Sequence, residues 1–140
     1  MAYRTGTDAL VKHLKPPLAD YILELAGLLN LGAWTITISP LPPNDPDSLA
    51  EVRVTSGQQC ASLRISGALI NSDPVEQRSC ILHELIHIHL WPLGEVVEHA
   101  FPALGTAAAS ILEAAHDLAN ERATDALSLA IAPFFPLPTK

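Results

Sequence analysis

The sequence predicts an α+β fold: a small, mostly antiparallel three-stranded sheet packed with an N-terminal helix, a central helix and a long C-terminal helix. Three observations carry this. Three short runs that alternate apolar and polar residues, 34–39, 50–56 and 60–66, follow one another with only loops between them, as neighbouring antiparallel strands do. Apolar residues recur at a 3.6-residue period before and after that block. Capping and breaking residues mark where the helical stretches start and stop.

In chain order, 1–8 reads as a loose arm, and Asp8 caps a short helix over 9–14 that Pro16-Pro17 stops. A stronger helix spans 18–31, with Leu18, Ile22, Leu25, Leu28 and Leu29 on one face and Gly32 placed to end it. The run Trp34-Thr35-Ile36-Thr37-Ile38-Ser39 is a half-buried strand. A loop with Pro40, Pro42, Pro43 and Pro46 follows, then a hairpin whose strands, 50–56 and 60–66, are joined at Gly57-Gln58-Gln59. Asp73 is the N-cap of the next helix, Pro74 its first residue and Glu76 the returning partner of a capping box. That helix is expected to end near Leu90, before Trp91-Pro92-Leu93-Gly94, with 91–105 irregular. The last helix runs over 106–132 and Pro133 stops it, leaving a proline-rich end at 133–140.

Composition bounds the function. At 140 residues, with 49% apolar and 16% charged residues, the chain is long enough to bury a core without staples. It reads as a single domain, 1–140, with loose or extended ends at 1–8 and 133–140. The formal charge is −7, and the Lys and Arg residues are scattered singly. That pattern excludes nucleic acid as a partner. No apolar run is long enough to span a bilayer and no apolar signal core follows Met1, so no membrane partner and a cytoplasmic location are expected. Cys60 and Cys80 are expected to be two thiols rather than a disulfide.

Chemistry concentrates at His83-Glu84-Leu85-Ile86-His87. Residues four apart on a helix share a face, so His83 and His87 present two imidazoles to one metal ion. Glu84 sits one residue round, where a carboxylate reaches a water activated by the metal. His89 falls on the other side with Leu82 and Leu85 and is expected to be a hydrogen-bonded structural residue. Cys80, one turn before His83, is expected to pack. A catalytic zinc takes three protein ligands and leaves one position open. Downstream, Asn120-Glu121-Arg122-Ala123-Thr124-Asp125 sets Glu121 and Asp125 on one helix face. A ligand followed by an acid one turn later has a use: the second acid accepts the N–H of a ligating imidazole.

His83-Glu84-x-x-His87 followed by Asn120-Glu121-x-x-Thr124-Asp125 resembles the gluzincin metallopeptidases, with Thr124 where thermolysin-like members carry Ser. The length is most similar to the minimal gluzincins, or minigluzincins. The resemblance spans about 75–130 and implies a zincin-like domain holding one catalytic Zn2+ on His83, His87 and Glu121. It implies Glu84 as general base and Asp125 as the residue orienting His83. The activity implied is hydrolysis of peptide bonds in a peptide or protein substrate, by zinc-activated water, with a sheet edge receiving the substrate backbone. The 33 residues between His87 and Glu121 exceed the thermolysin-like spacing. Such enzymes also stabilise the oxyanion with Tyr or His; Tyr3 and Tyr21 lie far off in sequence, so His99 is the candidate transition-state stabiliser and His116 the weaker one.

Other ligand schemes stay open at this stage. His99 is the third ligand if the chain is instead similar to SprT-like proteases, although Ala100 stands where that family has glycine. Asp117 or Glu113, on the same stripe as Glu121, are further alternatives. The metzincin scheme fails because Leu93 occupies its third-histidine position. Two rival functions accompany them: a zinc-stapled binding or regulatory module without turnover, and an enzyme held latent by 1–17 or by the proline-rich tail.

Overall fold

A computed structural model describes residues 2–5 and 16–139; the expected helix at 9–14 lies outside the described residues. The elements are β1 (Ala2–Thr5), α1 (Pro16–Leu28), β2 (Thr35–Ile38), β3 (Ala50–Thr55), β4 (Cys60–Ile65), α2 (Gly67–Ile70), α3 (Pro74–Glu98) and α4 (Thr106–Ile131). Short 3₁₀ turns at Phe101–Ala103 and Ala132–Phe134 flank α4. The architecture is α+β. No described helix is long and apolar enough to cross a membrane.

The sheet is mixed, not mostly antiparallel. Strands β2, β4 and β3 lie side by side in that order, and β1, within the stretch read as a loose arm, adds a fourth beyond β2. Both β1–β2 and β2–β4 are parallel; only the β3–β4 hairpin is antiparallel. The cause is the proline-rich loop at 39–49. It carries the chain past the position next to β2, so that β3 forms the outer strand and the hairpin turn, with Gly57 at φ 73°, brings β4 back between them. Among the described residues β3 has no strand on its outer side.

Helix α1 begins at the two prolines rather than after them, since the first turn needs no N–H partners. It ends at Leu28, before the glycine expected to stop it. Asn30 takes the left-handed conformation, φ 60°. The Leu31 N–H reaches the Ala26 carbonyl at 2.9 Å and the Asn30 N–H the Gly27 carbonyl at 3.1 Å, a Schellman ending in which asparagine does what glycine usually does.

Helix α3 starts as expected: the Asp73 side chain accepts from the Glu76 N–H at 3.0 Å and Pro74 opens the first turn. It does not stop near Leu90. It continues through Pro92 to Glu98. An internal proline forfeits a backbone hydrogen bond and costs about 3 kcal/mol, so packing must hold this segment helical. Gly94 lies so close to α4 that a β-carbon there would stand 3.2 Å from the His116 ring. The two helices form an antiparallel hairpin.

The core lies between the sheet and the inner faces of α1 and α3: Ile22, Leu25, Ile36, Ile38, Leu63, Ile81, Leu82, Leu85 and Ile88 are fully buried. Helix α4 covers only the other side of α3, and within it only Thr124 and Ser128 are buried. His89 points away from the cleft and bonds the Leu29 carbonyl at the end of α1, the structural role expected of it.

The chain end is strapped to the body. The Tyr21 hydroxyl donates to the Pro136 carbonyl at 2.7 Å, Arg78 donates to the Phe135 carbonyl at 3.0 Å, and Phe135 packs against the core. Burial pushes the Tyr21 phenol up to about 12. Because the folded value lies above the unfolded one, the neutral phenol supports the fold below about pH 10, and that support is lost as pH rises towards 12. Tyr21→Phe is expected to cost about 1 kcal/mol and to remove from the ultraviolet titration the phenol that ionises near pH 12. An unchanged high-pH titration would refute this placement.

Candidate metal centre and cleft

Side chains from α3 and α4 converge at one point. His83 and His87, one turn apart on α3, bring their Nε2 atoms to 3.0 Å. From α4, the Glu121 carboxylate lies 3.0 Å from His87 Nε2 and 3.4 Å from His83 Nε2. One turn further along α4, Asp125 Oδ1 lies 2.9 Å from His83 Nδ1. The helix register that the sequence suggested, residues four apart on each helix, thus puts three donor atoms and one supporting acid together.

The Nδ1 atoms of the two rings each meet a polar side chain of α4. Asp125 is an acceptor, so His83 carries its proton on Nδ1 and leaves Nε2 as a bare lone pair. The Thr124 hydroxyl donates to the Asn120 carbonyl at 2.7 Å, so its oxygen is free to accept from His87 Nδ1, 3.4 Å away. The Asn120 Nδ2 amide, a donor, lies 3.5 Å from the same Nδ1, so either tautomer of this ring finds a partner. Burial also lowers the His87 pKa, ahead of the opposing Glu121 carboxylate, which keeps the ring neutral at pH 7. Two imidazole nitrogens and a carboxylate oxygen face one another at 3.0–3.4 Å. Such a set is complemented by a cation. Four-coordinate zinc with bonds of about 2.0–2.1 Å sets its ligand atoms about 3.3 Å apart. His83, His87 and Glu121 fit that spacing and form a group able to hold a metal ion.

Glu84 lies beside this group, buried between α3 and β3. Burial pushes its carboxyl up to about 8; a backbone hydrogen bond with Val52 opposes the shift, and the charges of Glu121 and Glu51 add to it. A divalent cation beside it would favour the ionised form. The centre opens into a cleft of about 690 Å³ whose walls include Leu49 and Val52 on the sheet side, Cys80 and Trp91 from α3, and Asn120 from α4. Both cysteines are free thiols. Burial pushes Cys80 up to about 12, so without a metal its thiol stays protonated near neutral pH, and it is not part of the group able to hold an ion.

His99 is not brought to the centre. It is the exposed C-cap of α3, twelve residues beyond His87 on a continuous helix, about 18 Å at 1.5 Å per residue, and it is not part of the cleft wall. Neither third ligand nor transition-state stabiliser suits that position. The expectation that 91–105 is irregular fails over its first half, where α3 continues to Glu98. Asp117 is exposed next to His116, 3.6 Å from its Nδ1, and Glu113 is exposed; both lie outside the group. Asn120 and Thr124, flanking His87, have no role in the sequence reading; their i, i+4 spacing is the signal that places them on one face. Trp91 was read only as part of a helix break. Compared with protein-family models, curated proteins and solved structures, the chain matches none.

Proposed function

We propose that the chain is a zinc-dependent metallopeptidase of the gluzincin kind. The observation that carries this is the convergence of His83, His87 and Glu121 at 3.0–3.4 Å beside a buried, otherwise unexplained carboxyl at Glu84. A zinc ion held there would polarise the scissile carbonyl and lower the pKa of a nearby water. Glu84 takes the proton of the attacking water and returns it to the leaving amine. A divalent cation beside Glu84 would favour the ionised carboxylate, the form that accepts a proton. Asp125 accepts from His83 Nδ1 and Thr124 can accept from His87 Nδ1, which leaves both Nε2 atoms toward the centre. The outer edge of β3, which contributes Val52 to the cleft wall and has no described strand beyond it, can receive an extended substrate.

One feature favours a second reading. Helix α4 buries only two residues, so a metal bridging α3 and α4 would fasten it whether or not catalysis follows. A zinc-loaded protein presented with a peptide library separates the two. Cleavage that a chelator abolishes and zinc restores supports the peptidase; one bound zinc with no cleavage of any peptide supports the stapled module.

A further inference from the structure

Helix α4 keeps its charged and apolar residues in separate rows. Its four carboxylates, Glu113, Asp117, Glu121 and Asp125, recur every four residues. Ile111, Ala115, Leu118, Arg122, Ala126 and Leu129 recur at steps of three and four, the spacing of a single helix face. No acid falls in that second row, and it faces solvent. Ile111 is 71% exposed, Leu118 53% and Leu129 70%, and Ala115, Arg122 and Ala126 are exposed beside them. None of the six lines the cleft. Three large aliphatic side chains aligned in water on one helix mark a contact surface.

We infer that two copies of the chain pair through this face, α4 against α4, antiparallel, about a twofold axis level with Asn120. The row is symmetric about that residue. Ile111 lies nine residues before it and Leu129 nine after; Leu118 lies two before and Arg122 two after; Ala115 and Ala126 stand five before and six after. Antiparallel pairing therefore sets Ile111 against the partner's Leu129 at both ends. In the middle the alkyl stem of Arg122 covers the partner's Leu118 and its guanidinium reaches the rim, while the alanines let the backbones approach. A twofold interface requires such self-complementarity; an unrelated partner does not. Charge favours the same face. At a net charge of −7 two copies repel over much of their surface, and along this row no carboxylate opposes contact. The row spans eighteen residues, about 27 Å of helix. Contact of that length lies at the small end of specific interfaces, so the dimer is expected to be reversible, with Kd about 1–100 µM. The cleft stays open in it.

The test is sedimentation velocity on the full chain from about 1 to 300 µM, with Leu118→Glu, Ile111→Glu and Val96→Glu. Each altered residue is exposed, so the fold is kept, which circular dichroism checks. The unaltered chain is expected to pass from monomer to dimer across this range. Leu118→Glu and Ile111→Glu, which set a carboxylate in the row, should weaken pairing about tenfold or more. Val96→Glu, at a site 69% exposed but on α3, should leave it unchanged. Orientation is read by cross-linking: oxidation of an equimolar mixture of Ile111→Cys and Leu129→Cys chains should join one to the other faster than either to itself. A chain that stays monomeric, pairing that survives Leu118→Glu, equal loss in Val96→Glu, a stoichiometry above two, or cross-links that favour like with like would each overturn the proposal.

Discussion

Glu84→Gln is expected to lower zinc-dependent peptide hydrolysis by about 10²–10⁴-fold, the usual contribution of a general base, with zinc still bound at one ion per chain. The amide keeps the size of the carboxyl, and none of the three metal candidates is altered. It loses only the ability to take a proton. The same substitution has a second, opposite signature in protein stripped of metal. The folded carboxyl sits at about 8 against an ordinary 4.5, so the fold favours the protonated form. That preference stabilises the protein below about pH 4.5 and is lost progressively as the pH rises towards 8. Denaturant unfolding of the chelated wild type should therefore show falling stability across this window, and Glu84→Gln should lack that component. A variant that hydrolyses peptides like the wild type would remove Glu84 from the chemistry.

The second large effect is on the metal itself. Glu121→Ala is expected to abolish stoichiometric zinc binding, and Asp125→Ala to weaken it about 10–100-fold through the released His83 ring. His99→Ala and Asp117→Ala should bind zinc normally. At a free zinc concentration a hundred times its dissociation constant, the ion adds about 2.7 kcal/mol to stability, or about 9 °C in melting temperature for a chain of this length. Glu121→Ala should show no such rise. Zinc content by elemental analysis after dialysis, together with melting curves, decides the matter. Loss of zinc in the His99 variant, with Glu121→Ala unaffected, would overturn the ligand set.

How far this could be read from the sequence depended on whether the governing interaction was local. The α3 start was legible because Asp73, Pro74 and Glu76 act within one turn. The donor set was legible because i, i+4 spacing decides which side chains share a helix face. What failed depended on partners distant in sequence. Pro92 is a helix breaker by its own chemistry, and α3 continues through it where α4 packs closely past Gly94. The parallel pairing of β2 with β4 follows from where a loop of 11 residues, 39–49, happens to cross, which alternation within strands does not encode. His99 was misplaced for the first of these reasons: reading a break at 91–94 freed it to fold back, whereas the unbroken helix carries it off.

The exposure of α4 bears on how the centre opens. Glu121, Asp125, Thr124 and Asn120 all ride on this helix, and little besides its seam with α3 restrains it. A partial detachment of α4 withdraws a ligand, the support of His83 and the neighbours of His87 in one movement, while the sheet and the core beneath α3 stay intact. Escape of an ion held there would then be governed by the breathing of a single helix rather than by unfolding of the domain, and the amides of α4 are the ones whose solvent exchange should slow when zinc is added.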